Sequence, residues 1–140
     1  MRDITVLTHA FGVATVLSMN PTIKVLMLPG EYHAQEGATV GVHTTAFLED
    51  YFADVAILGA SGLSEDGPAD ALIEAAAIYA AMSRRAAGTI VVADHSKHNR
   101  LFPARYARWR EITHLVTDTA PEGAIERATR KNDVTVRISG

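Results

Sequence analysis

Cysteine is absent from the 140 residues, which excludes a disulfide framework and a cysteine-ligated zinc site and fits a reducing cytoplasm. An excess of positive charge is missing too, and a formal net charge of −3 offers no electrostatic grip on nucleic acid. No apolar run approaches the roughly 18 residues that a membrane span needs. The N-terminus lacks a basic segment followed by an apolar one, so a cytoplasmic chain is expected. Walker and dinucleotide fingerprints are missing, and no cofactor is expected. Gly59-Ala60-Ser61-Gly62 lacks the Gly-x-Ser-x-Gly spacing of a nucleophile elbow. His95 and His98 flank Lys97 with no carboxylate at a helpful spacing, so no metal site is expected either. No internal repeat, low-complexity segment or linker divides the chain, which reads as a single domain over residues 1–140, long enough to bury a core.

What is present is an alternation of apolar runs and helical patterns. The runs are Ile4–Leu7, Ile23–Leu28, Val55–Leu58, Thr89–Ala93, Ile112–Thr117 and Val134–Ile138. Helical spacing falls between them, over residues 10–19, 40–52, 69–87 and 121–131, while Glu31 to Gly37 reads as a polar loop and Ser64 to Pro68 as a turn. The alanine-rich stretch is the longest helix expected, with Gly88 in the C-terminal role. Strands alternating with helices give an α/β fold, a mostly parallel sheet with helices on both faces.

Thr89 to Lys97 organises the rest. Its apolar half reads as a strand buried on both faces, and it runs straight into Asp94, Ser96 and Lys97. Ligands of open parallel sheets bind beyond the carboxyl ends of the strands, and a carboxylate, a hydroxyl and an ammonium there suit a small anionic ligand. The plainer reading is that Asp94 caps the following turn and Lys97 is solvated. The other strand ends are Thr8-His9, Pro29-Gly30, Gly59-Ala60-Ser61-Gly62 and Asp118-Thr119. Each glycine alone is an ordinary turn residue, but the set converging on one sheet edge favours a binding cleft. Glu74 is either a solvated residue in the first turns of its helix or an acceptor for ligand hydroxyls. Arg100, Arg105, Arg108 and Arg110 around Trp109 read as a solvated face or a contact with another subunit.

Several segments in series, Val6-Leu7-Thr8-His9, Leu28-Pro29-Gly30-Glu31, Gly41, Asp54 to Gly62, Ala93-Asp94-His95-Ser96-Lys97 and Leu115-Val116-Thr117-Asp118, resemble the sensor domain of DeoR-family bacterial transcription regulators. The Asp-x-Ser-Lys segment after a buried strand is the most specific. The resemblance implies a fold shared with ribose-5-phosphate isomerase, glucosamine-6-phosphate deaminase and CoA transferases. It implies that Lys97 and Asp94 face a phosphorylated sugar or related metabolite, with Thr8, Gly30, Ser61 and Gly62 lining the site. It further implies an operator-binding helix-turn-helix, and a first strand with an Asp-Gly-Gly-Thr-Thr phosphate loop, upstream of this chain. The sequence departs from the pattern at His9, where the family usually has asparagine, and at His98, where it has phenylalanine. Ala75 stands where the helix glutamate is expected, one residue from Glu74.

Three functions follow as expectations. The first is a ligand-sensing, non-catalytic domain of a DeoR-type repressor, which binds a sugar phosphate, reaches operator DNA only through a separate domain and acts as a homo-oligomer. The second is a sugar-phosphate isomerase or deaminase of the same fold with Asp94 or Glu74 as general base. The third is an oligomerisation module alone, built on an exposed sheet edge.

Overall fold

The computed structural model describes residues 3–140. The chain divides into two compact units, Met1–Tyr51 and Phe52–Gly140.

In the first unit, β1 (Ile4–Thr8) and β2 (Ile23–Met27) pair in parallel, Ile4 opposite Ile23 and Thr8 opposite Met27. Parallel strands need a crossover, and α1 (Phe11–Leu17) supplies it. The segment expected to be a loop is instead an antiparallel hairpin, β3 (Glu31–His33) and β4 (Ala38–Val40). Strands this short show no periodicity. β4 forms because Ala38, Thr39 and Val40 are buried and because the Thr39 amide donates to the His9 carbonyl while its hydroxyl donates to the Leu28 carbonyl. The next helix, α2 (Val42–Leu48), starts later than the expected 40 because residues 38–40 are taken by the hairpin, and it ends at Leu48 rather than at 52. Its fully buried Thr44 donates to the Pro29 carbonyl at 2.6 Å.

The second unit holds β5 (Ala53–Leu58), β6 (Gly62–Ser64), β7 (Gly67–Asp70), α3 (Ile73–Arg84), β8 (Ala86–Val92), β9 (Ala104–Arg105), β10 (His114–Thr117), α4 (Gly123–Lys131) and β11 (Thr135–Ile138). Its main sheet runs β11-β10-β8-β5, and every pair in it is parallel. The fold is α/β with a mostly parallel sheet, as the alternation of patterns predicts. A smaller antiparallel sheet, β6-β7-β9, stands beside it. The predicted turn over residues 64–68 is there, but it is the tip of the β6–β7 hairpin.

Register places Leu58 opposite Val91 and Val91 opposite Leu115, and all three are buried with Ile125 of α4 and Trp109. The opposite face differs. Ile57 is 70% exposed and Val92 46% exposed, so β8 is fully covered on one face rather than on two. Alternate residues of a strand face opposite sides, and an unbroken apolar run conceals that difference.

The alanine-rich helix is four residues shorter than expected at its start, 73 against 69, because Ala69 and Asp70 pair with Arg105 and Ala104 in the small sheet. Its end differs too. Gly88 is not the helix terminator: it lies inside β8 opposite Val55, and the helix stops at Arg84. Alanine favours a helix, but pairing of residues 86–91 with β5 satisfies the same backbone groups in a ladder that also buries Thr89 and Val91. Among the described residues no helix is long and apolar enough to cross a membrane.

Candidate functional site

Beyond Val92, at the carboxyl end of β8, the chain enters a one-turn 3-10 helix, His95–Lys97, and its geometry follows from Asp94. The Asp94 carboxylate accepts the Ser96 amide at 2.8 Å and also the Ser96 hydroxyl. These bonds, the hydroxyl first, hold its carboxyl below the ordinary carboxylate range. The expectation that Asp94 caps the turn is met. Capping does not consume Lys97. Among the described residues Lys97 forms no ion pair, and it is half-buried with its charge close enough to bias Asp94.

The neighbouring strand fastens the same turn. Asp118, just past β10, accepts the His95 amide through one carboxylate oxygen and the His95 ring Nδ1 through the other, each at 2.7 Å. The Ala93 amide donates to the Val116 carbonyl at 3.0 Å, which keeps the two strand ends level. His98 then turns inward, its Nε2 3.0 Å from the Thr117 hydroxyl. After it the chain runs beside β6, where Leu63 bridges His98.

The other expected residues fall in four groups. Gly59 and Ala60 follow β5, and the Gly59 carbonyl accepts the buried Tyr106 hydroxyl at 2.7 Å. Burial pushes that phenol well above its ordinary value. Ser61 precedes β6 and Gly62 opens it. The Ser61 amide donates to Ala69, and its hydroxyl accepts the Ala71 amide at 3.2 Å, so both groups serve the β6–β7 connection. Gly62 is buried against the Arg100 carbonyl and the Phe102 ring, where a Cβ would collide. Gly62→Ala is therefore expected to cost about 1–3 kcal/mol of stability through overpacking, read as a lowered urea midpoint. Glu74 is exposed on the first turn of α3.

Thr8, His9 and Gly30 belong to the first unit. Thr8 is buried and accepts the Ala10 amide at 3.1 Å, while burial lowers the His9 pKa. Gly30 has φ +144° and meets Thr44 and the Val40 carbonyl where a Cβ would stand, so it fits only as glycine.

Residues 1–119 match the family described as the DeoR C terminal sensor domain. The chain belongs to that family. The sensor domain is 31% identical over 137 residues to the HTH-type transcriptional repressor GlcR of Bacillus subtilis, a match covering 98% of this chain and 53% of that protein. It is 24% identical over 135 residues to the HTH-type transcriptional repressor CsqR of Escherichia coli, covering 94% of this chain and 51% of that one. To the Glycerol-3-phosphate regulon repressor of Haemophilus influenzae it is 27% identical over 121 residues, covering 86% of the chain and 47% of the relative. The chain thus spans about half the length of the curated relatives it matches. The family is one of ligand sensors found in repressors, and the enzyme reading falls with it.

In the sensor domain the structure adds three residues to those expected from the sequence. His95, His98 and Asp118 complete the polar end of β8, though Asp118 reads only as a strand end and the two histidines only as a poor metal pair. The signal that joins them is the parallel register of β8 and β10, which the residue order alone does not reveal.

Proposed function

We propose that this chain is the part of a longer DeoR-type repressor that senses a phosphorylated sugar or related metabolite. The observation that carries the reading is the turn at the end of β8, where Asp94 and Asp118 fix the backbone and leave the Lys97 ammonium without an ion pair among the described residues. An ammonium on a rigid turn at the carboxyl end of a parallel strand suits a phosphate ester, which takes strong charge-assisted hydrogen bonds. The name Glycerol-3-phosphate regulon repressor, carried by the Haemophilus influenzae relative, supports the same ligand class. Asp94, Ser96 and Lys97 form the centre of the proposed site, with Gly59 and Ala60 at the adjoining strand end. In the whole protein, occupancy of this site is proposed to control operator binding by a separate helix-turn-helix domain.

Incubating the protein with a panel of aldose and ketose phosphates tests the reading. Saturable binding of at least one, with the compound recovered unchanged, is the expected result. Turnover, or no binding by any member, contradicts it.

A further inference from the structure

The chelation of His95 by Asp118 leaves one ring atom with no assigned partner. A carboxylate only accepts, so Nδ1 carries a proton and donates, and the chemistry available to a ligand is that of Nε2. The ring is 65% exposed, and it sits two residues from Lys97 on the same short turn. With His95 neutral, Nε2 presents a lone pair, which repels an anion. With His95 protonated, Nε2–H is a cationic donor on the same short turn that carries Lys97.

We infer that His95, oriented by Asp118, is a second binding group for the anionic part of the effector and engages it only as an imidazolium. This rests on the reading of the β8 turn as an anion site. Asp118 is then a positioning residue: it fixes the ring and favours its charged form without touching the ligand. The charges acting on the ring are Asp118 from the end of β10 and, from its own segment, Asp94. The Asp118 hydrogen bond is the largest influence and holds the imidazole pKa above its ordinary 6.5. The same contact holds the Asp118 carboxyl below 3.8. The sign follows from linkage. The charge-assisted pair persists between Asp118's lowered pKa and His95's raised one, and it fades as pH rises through the latter. Anion affinity therefore falls as pH rises through that same upper limit.

The test uses sulfate, whose charge is constant over the neutral range, so that only the protein titrates. The His95 ring is followed by NMR through a pH titration of the full chain, with and without saturating sulfate. The inference expects sulfate to raise the His95 pKa by about one pH unit, equivalent to a tenfold preference of the anion for the charged ring. Asp118→Asn should lower that pKa and weaken sulfate binding at neutral pH, with recovery on acidification. His95→Gln, at an exposed position, should fold normally and bind sulfate with affinity independent of pH. If sulfate binds and Lys97→Ala abolishes binding while the His95 titration is unmoved, the inference is overturned and the β8 site stands. If sulfate moves neither His95 nor the Lys97 amide, both are overturned.

Discussion

Trp109→Ala is expected to lower the stability of the chain by about 3–5 kcal/mol, the range for truncating a fully buried aromatic. Trp109 is 2% exposed and belongs to the cluster that holds Leu63, Ile112 and Leu115. Its indole nitrogen donates to the Ser64 carbonyl at 2.7 Å, so the ring pins the β6–β7 hairpin to the unit. Truncation removes the packing and leaves that carbonyl without its donor. Trp109→Phe keeps most of the packing and loses the hydrogen bond, and it should cost less, about 1–3 kcal/mol. Urea denaturation reads both, as a lower midpoint at unchanged slope. A loss below about 1 kcal/mol for the alanine variant would show that the hairpin is held by something other than Trp109.

Lys97→Ala is expected to act on binding instead. A hydrogen bond to a charged group contributes about 1.5–3 kcal/mol, and about 1.4 kcal/mol is a factor of ten. Affinity for the phosphorylated effector should fall roughly tenfold to a hundredfold. Stability should hold, because Lys97 forms no ion pair among the described residues and sits at the end of a turn whose bonds are made by Asp94 and Asp118. Calorimetric titration of wild type and variant at two salt concentrations checks it. Wild-type affinity should weaken with salt more steeply than that of the variant, as a half-exposed charge pair does. Equal affinities would remove Lys97 from the site.

The sequence makes the parallel strands legible where composition and burial agree. Ile23–Met27, Ala53–Leu58 and His114–Thr117 lie within a residue or two of the expected strands, because β-branched runs bounded by polar residues have few alternatives. The errors at the two ends of the alanine-rich helix share one cause, which is that pairing with distant residues overrides local preference. Ala86 to Gly88 look like the tail of a helix until β5 offers a partner. Ala69 and Asp70 look like its beginning until β9 does. Tyr106 and Trp109 sit in an arginine-rich stretch that reads as solvated surface. The arginines are exposed, yet those two aromatics are core, each closing a hydrogen bond more than forty residues away in sequence (47 and 45).

The site divides along the same line. Asp94, Ser96 and Lys97 are contiguous, so their chemistry is visible in the residue order. Asp118 is 23 residues from His95, and only the parallel β8–β10 register brings them to 2.7 Å. Gly62 and Ser61 look like ligand-approach residues, yet the contacts they make here are packing against Arg100 and Phe102 and the bonds of the β6–β7 connection.

The proposed site is decided by where the metabolite lands. Backbone amide shifts, followed while a phosphorylated sugar found to bind is titrated into the chain, locate it directly. The account predicts the largest changes at residues 94–98 and 118, with lesser ones near Gly59. Changes confined to other parts of the chain, with Asp94 to Lys97 unmoved at saturation, would contradict it.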